Sequence, residues 1–375
     1  MKTLAAALLL FISLGANAQP VTPPPIAARA YIVIDTLSGA TLAAAAENER
    51  FEPASLTKLM TAWLVFDAIR AGRLEPNKMV AVSETAAKAG GARMFLAAGQ
   101  QVSVSDLLRG MVVESANDAA LTLADAVGGS ESAFVAQMNA QAARLGLRST
   151  HFANATGFPA ADHYSTARDL AVLAQAVIRD FPDHYALYSQ KEFAFNGISQ
   201  ANRNRLLWTD PTVDGMKTGF TEAAGYCLIA SARRGERRLV SVVLGAQSDT
   251  VRTSESQKLL NFGFQAYDTR RLYKKGDTVA TPTIYKGTTP TARLGFDHDV
   301  WLTLPRERFT GLAAAVETRQ PMVAPLAQGQ KAGIMKLTRE RQPVAEFPVV
   351  ALEEVPVAGF LSRGWDTLKL LFNSP

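Results

Sequence analysis

Glu52-Pro53-Ala54-Ser55-Leu56-Thr57-Lys58-Leu59-Met60-Thr61-Ala62-Trp63-Leu64-Val65-Phe66 is the stretch on which the reading of this chain turns. Beyond Lys58 it is apolar on nearly every side, the pattern of a helix buried in a protein rather than laid on its surface. Proline is favoured in a first helical turn, so Pro53 marks the start. Ser55 and Lys58, three residues apart, share one helix face. Ser55 stands at the helix N-terminus, where the dipole favours developing negative charge. Flanked by Leu56, Leu59 and Met60, Lys58 loses hydration, and its basicity falls toward that of a usable general base. The plain alternative is a solvated lysine on a helix face.

Two further motifs follow in order, Ser115-Ala116-Asn117 and Lys217-Thr218-Gly219. Ser-x-x-Lys alone is weak evidence, since a chain of this length holds roughly one by chance. Lys-Thr-Gly is rarer, at roughly one chance copy in ten such chains. Together the three supply a hydroxyl nucleophile, an amine base, a second hydroxyl, a side-chain amide and a further cation. Those are the parts of a serine acyl-transfer site built without histidine. Ser115 could otherwise be a plain helix cap ahead of Asn117-Asp118. Lys217-Thr218-Gly219 could be a hairpin turn, although the neighbouring run Tyr226–Ala232 reads as a strand and suggests a sheet edge.

The ordered trio resembles that of the penicillin-binding proteins and class A β-lactamases. Within that group the chain resembles the low-molecular-mass penicillin-binding proteins that are serine-type D-alanyl-D-alanine carboxypeptidases. The likeness extends to Asn202-Arg203-Asn204 with Leu207-Trp208, to Val213-Asp214-Gly215-Met216 before Lys217, to Thr150-His151-Phe152 with Gly157, and to Ser165-Thr166-Ala167-Arg168-Asp169. It runs from about Ala27 to the C-terminus. The resemblance implies Ser55 as the acylated nucleophile and Lys58 as its base. It implies Ser115 as the proton donor to the leaving D-alanine, and Asn117 as the holder of the substrate amide and of Lys58. Lys217 would act electrostatically on Ser115 and the substrate terminus. The backbone N–H groups of Ser55 and Phe220 would form the oxyanion hole beside Gly219, and Thr218, Arg203 and Arg252 would hold the terminal carboxylate, Arg252 lying in a loop read at Gln247–Thr253. The implied partners are peptidoglycan stem peptides ending in D-Ala-D-Ala, with β-lactams as covalent inhibitors. No cofactor is implied.

Two departures from the family pattern stand out. Ala116 replaces the Gly or Asp common in relatives, with its side chain expected to point away from the site. Phe220 stands where the best-known members carry His; an oxyanion hole needs only the backbone N–H there, so acylation is expected to survive, while hydrolysis is where an effect would show.

At 375 residues the chain suits two domains. Residues 1–18 read as an export signal, with Lys2, an apolar run from Leu4 to Leu14, and Ala16-Asn17-Ala18 as the cleavage site. Its removal takes one lysine and no acid, so the formal charge of +5 becomes +4. No basic cluster with interleaved aromatics occurs, which argues against a nucleic-acid partner. The single cysteine, Cys227, lies in an apolar strand-like run and cannot form an internal disulfide. His151, His163, His184 and His298 lack metal-ligand spacing, which argues against a zinc hydrolase.

The implied organisation is a Pro-rich linker at 19–26, a catalytic domain at 27–273, a small β-rich domain at 274–355 and a terminal helix at 356–375. In the first domain a hairpin at Tyr31–Ala44, a helical stretch from Ser55 to Gly146, strands at Tyr226–Ala232 and Leu239–Leu244, and a closing helix at Leu259–Tyr267 predict an α/β (α+β) fold, an antiparallel sheet with helices packed on it. The second domain is expected to have strands at Thr278–Tyr285, Val300–Leu304, Leu312–Val316, Gly333–Leu337 and Val344–Val350. In the last segment Val357, Phe360, Leu361, Trp365, Leu368, Leu371 and Phe372 fall on one side at helical spacing. Such a helix can lie in a membrane interface or dock on its own β domain. The resemblance favours the first, and with it a peripheral place on the outer face of the cytoplasmic membrane.

Two rival readings follow from the same residues. A class A β-lactamase would use a glutamate in Glu-x-x-Leu-Asn to hydrolyse the acyl-enzyme; the nearest stretch, Glu192-Phe193-Ala194-Phe195-Asn196, lies far downstream and alternates like a strand. A non-catalytic wall binder would have no use for Lys58. Endopeptidase cleavage of cross-links needs the same residues as carboxypeptidase work and stays open.

Overall fold

The computed structural model describes residues 21–372. The export signal read at 1–18, the first residues of the linker read at 19–26, and the chain beyond residue 372 lie outside the described residues.

A five-stranded antiparallel sheet organises the first domain. In chain order its strands are β1 (Ala30–Asp35), β2 (Thr41–Ala45), β3 (Val213–Thr221), β4 (Gly225–Arg234) and β5 (Arg237–Ala246), arranged β2-β1-β5-β4-β3. Strand residues point alternately to opposite faces, and both faces are covered. Ile32, Ile34, Ile229, Val240 and Val242 face a helical layer. That layer contains α1 (Lys58–Arg70), α2 (Asn117–Gly128), α3 (Glu131–Arg144) and α4 (Ala167–Asp180). Val33, Leu228, Leu239 and Val243 face α5 (Asp249–Ala266) through Leu259, Leu260 and Phe264. This is the α+β architecture expected from the order strands, helices, strands.

Two features of this frame position the site. First, β3 is the edge strand, so its outer side is free to meet other chemistry. Lys217-Thr218-Gly219 lies inside it rather than in a turn. Second, Ser55 is not in the first turn of an α-helix as expected. It lies in a 3₁₀ turn, Ala54–Thr57, which leads into α1. Ala54 has a left-handed φ of 48°, which breaks the helical path just before the serine. The turn is wedged between neighbours: a Cβ on Gly219 would stand 3.2 Å from Ser55 N, and one on Gly157 would collide with Ala54 O at 1.8 Å.

Three other expectations are corrected. The closing helix runs Asp249–Ala266, so Arg252 is helical rather than in a loop. Ser248 caps it by accepting a hydrogen bond from Val251 N at 3.2 Å. Tyr267–Tyr273, the end of that expected helix and the residues after it, is a strand that pairs with Val300–Pro305. The single strand read at Thr278–Tyr285 is two, Thr278–Ala280 and Ile284–Tyr285, with Pro282 between them unable to donate to a ladder.

The second domain is built on a five-stranded antiparallel sheet, in the order Thr278–Ala280, Leu294–Gly295, Gln342–Ala351, Lys331–Arg339, Leu312–Thr318. Its separate core holds Phe296, Val300, Met335, Leu337 and Val349. A polar knot joins it to the first sheet. The buried carboxylate of Asp35 accepts from Arg237 Nε at 2.8 Å and from Thr269 Oγ1 at 2.6 Å. Ser38 Oγ meets Thr303 Oγ1 at 2.6 Å. The final helix, α6 (Phe360–Phe372), is fastened through its polar side: Asp366 Oδ2 accepts from Lys286 N at 2.6 Å.

Candidate active site

The 3₁₀ turn presents Ser55, and the start of α1 carries Lys58 beneath it. Lys58 is 1% exposed, and its ammonium donates to Ser55 Oγ at 3.0 Å, Asn117 Oδ1 at 2.6 Å and the Thr156 carbonyl at 2.6 Å. Burial lowers its pKa to about 7, helped by the charge of Arg203 and opposed by Asp118. The three partners decide what happens when the proton leaves. Asn117 Oδ1 and the Thr156 carbonyl can only accept, so they claim the two remaining N–H bonds of the amine. The lone pair is left facing Ser55 Oγ, the one partner able to donate.

Thr156 is held by the loop around it. Asn154 Oδ1 accepts from the backbone N–H groups of Thr156, Gly157 and Phe158 at 3.2, 2.7 and 3.1 Å. Gly157, at φ 89°, admits the close approach of Ala54 that no side chain would allow.

Ser115 follows a π-helical turn, Gly110–Glu114, and has a left-handed φ of 65°. It closes that turn and is not the N-cap of α2, which is Ala116. Such π turns recur at functional sites. Asn117 opens α2, and its Nδ2 donates to Gly90 O at 2.8 Å while its Oδ1 receives Lys58. The buried carboxylate of Asp118 accepts from Met94 N and Leu96 N at 3.0 and 3.1 Å, fastening the segment after Gly91. Ala116 is buried in the helical core and does not line the cleft.

From the edge strand, Lys217 Nζ donates to Ser115 Oγ at 2.8 Å and to Thr218 O at 3.0 Å. Burial, together with the charges of Lys58, Arg203 and Arg252, holds its pKa well below the usual lysine value. The side chains form a chain of contacts, Ser55–Lys58–Asn117 on one side and Ser115–Lys217 on the other. Both lysines lie below the cleft surface.

The cleft above them has a volume of about 880 Å³. Ser55, Ser115 and Asn117 lie on its lining, with Thr218, Gly219 and Phe220 along the edge strand and Arg203 and Arg252 farther on. Arg252 Nη1 donates to Gly219 O at 3.2 Å, and its other amine pairs with Asp249, which also holds Arg205 Nε at 2.5 Å. Arg203 is exposed and makes no ion pair among the described residues, so its charge is available to an anionic ligand. The Phe220 side chain is 44% exposed and packs on Tyr226 with ring centroids 4.4 Å apart.

No glutamate lines this cleft among the described residues. Glu192 lies on an exposed hairpin strand, Glu192–Phe195. Nor do the described residues hold a His/Cys/Asp/Glu cluster that could bind a metal. Sequence reasoning missed Thr156, Asp118 and Glu114. The Asn-x-x-Gly spacing at Asn154–Gly157 was the one available sign of the first; the others declare themselves only through tertiary contacts.

This geometry has known counterparts. Residues 17–248 match the family described as D-alanyl-D-alanine carboxypeptidase, and residues 267–357 match the penicillin-binding protein 5 C-terminal domain. The D-alanyl-D-alanine carboxypeptidase DacC of Escherichia coli is 41% identical over 95% of this chain and 91% of its own length. The crystal structure of penicillin-binding protein 5 from Haemophilus influenzae superposes with a TM-score of 0.87 at 38% identity, covering 90% of this chain and all (100%) of that one. Penicillin-binding protein D2 from Listeria monocytogenes, in its ampicillin-bound form, matches 66% of this chain and 100% of its own with a TM-score of 0.60 at 33% identity. With the fold, the cleft and these likenesses in agreement, the chain belongs to the D-alanyl-D-alanine carboxypeptidase family of serine-type, penicillin-binding enzymes.

Proposed function

We propose that the D-alanyl-D-alanine carboxypeptidase activity of this chain runs through Ser55, with Lys58 as general base, and trims the terminal D-Ala from peptidoglycan stem pentapeptides. Neutral Lys58 takes the Ser55 hydroxyl proton as Oγ bonds to the carbonyl carbon of the penultimate D-Ala. The oxyanion rests on the backbone N–H groups of Ser55 and Phe220. As the C–N bond breaks, the proton taken up by Lys58 reaches the leaving amine by way of Ser115, which gives one proton and regains one, and Lys217 supports Ser115 electrostatically. Asn117 holds the substrate amide and Lys58. Thr218, Arg203 and Arg252 receive the terminal carboxylate. Water then hydrolyses the ester and returns Ser55. A β-lactam would acylate the same oxygen, its ring amide taking the place of the peptide bond.

The observation that carries this reading is the environment of Lys58: a buried amine 3.0 Å from Ser55 Oγ, its other two partners acceptors only, with burial lowering its pKa to about 7. Amines with pKa values near the working pH make the best general bases. The absence of a glutamate from the described cleft lining favours a carboxypeptidase over a class A β-lactamase. The test is D-Ala release from a peptide ending in D-Ala-D-Ala by wild type and Ser55→Ala. Loss in the variant is expected; retained release would refute the assignment.

The domain boundaries are proposed as a catalytic unit at 27–273, a β-rich unit at 274–355 and a terminal segment at 356–375, within which the described helix is α6, Phe360–Phe372, and not the whole segment read as helical. That helix is proposed to lie in the outer surface of the cytoplasmic membrane, the chain having been exported by residues 1–18. Phe360, Leu361, Trp365 and Leu371 are 81, 88, 62 and 72% exposed, which supports an interfacial face waiting for lipid. No described helix is long and apolar enough to cross a membrane.

A further inference from the structure

Glu114, the residue before Ser115, is 2% exposed. It closes the π-helical turn, and the chain passes from it straight into the left-handed Ser115. A serine in that region is strained by roughly 1–3 kcal/mol and stays there only when its surroundings over-determine it. On one side the restraint is clear: Lys217 holds the Ser115 hydroxyl, and Asn117 and Asp118 fasten the following residues to the segment after Gly90. On the other side Gln200 takes the part. Its Nε2 donates to Glu114 Oε2 at 2.5 Å and to Arg93 O at 2.9 Å. One amide group thus joins the Glu192–Ala201 hairpin, the segment after Gly91 and the turn that carries Ser115.

The second Glu114 oxygen, Oε1, is buried with no hydrogen-bond partner among the described residues. Burial, then the nearby charge of Asp118, push the Glu114 pKa up to about 7, against the pull of Gln200. A raised carboxyl pKa means that ionising Glu114 costs folding stability as pH climbs from its unfolded value through 7.

We infer that Glu114 is a positioning residue for the reaction: its hydrogen bond to Gln200 braces the strained Ser115 turn against the Glu192–Ala201 hairpin and keeps Ser115 Oγ in place to deliver a proton to the leaving group. The inference rests on the proton-delivery role proposed for Ser115, so the test carries Ser115→Ala beside it.

The experiment measures D-Ala release from a D-Ala-D-Ala peptide, with kcat and KM separated, for full-length wild type, Glu114→Ala, Gln200→Ala, the double variant, Glu114→Gln and Ser115→Ala. Displacement of a catalytic group by an ångström costs up to about 100-fold in rate. Glu114→Ala and Gln200→Ala are each expected to lose about tenfold in kcat with KM within about twofold, and the double variant to lose no more than either. Glu114→Gln, which keeps an acceptor for Gln200, should recover most of the rate. Wild-type kcat in Glu114→Ala, with Ser115→Ala impaired, would overturn the inference while sparing the role of Ser115. So would additive losses in the double variant, or a loss that follows a lowered unfolding midpoint and is not rescued by Glu114→Gln. Full kcat in Ser115→Ala would remove the proton-delivery role and this inference with it.

Discussion

Lys58 shows how a side chain acquires its chemistry from its neighbours. Surrounded by apolar residues, it gives up hydration, and its two acceptor-only partners leave the lone pair one direction in which to point. Lys58→Ala is expected to slow acylation by penicillin by about 10²–10⁴-fold, the usual worth of a positioned base, as read from the rate of adduct formation. Because only the neutral amine accepts the proton, acylation should fall about tenfold per pH unit below 7 and level off above it. A flat profile between pH 5 and 8 would contradict the assigned base. Gly157 acts by having no side chain: Gly157→Ala would drive a Cβ into Ala54 O, and loss of penicillin binding is the expected result. Ser55 and Lys58 were legible as a candidate pair because their spacing puts them on one face and the apolar run after Lys58 states the environment of both. Glu114 and Gln200 were not, since residues 86 apart meet only when the hairpin folds back onto the π turn.

The elements divide in the same way. Two of the three motifs sit at element boundaries, a 3₁₀ turn before α1 and a π turn before α2, and the third lies inside the outer strand of a sheet. Alternation and apolar runs revealed the strands and helices that bear them. They could not reveal the left-handed kinks at Ala54 and Ser115, which are imposed by contacts with distant segments. Arg252 was read in a loop at Gln247–Thr253; Ser248 followed by Asp249 was the cap signal that should have started a helix there. The strand Tyr267–Tyr273 was hidden by Arg270 and Arg271, which lie exposed on it. Asp35 ties the first sheet to that strand. Asp35→Ala leaves Arg237, 12% exposed at its side chain, without its carboxylate. A loss of about 3 kcal/mol is expected, measurable as a lowered denaturant midpoint. An unchanged midpoint would show that the knot is not under the load described.

For the molecule as a whole, the first domain carries the candidate site, and the second presents α6 with its polar side fastened and its apolar side outward. Removing residues 356–375 should leave D-Ala release from a soluble peptide within about twofold and abolish co-sedimentation with phospholipid vesicles. Retained sedimentation would refute the interfacial role of the helix. The most direct test of the central claim is the intact mass of the purified protein over time after addition of benzylpenicillin, with Ser55→Ala alongside and the modified peptide mapped. A single adduct confined to Ser55, lost again as water hydrolyses the ester and absent from the variant, is the predicted result. No adduct in wild type, or an undiminished one in Ser55→Ala, would contradict it.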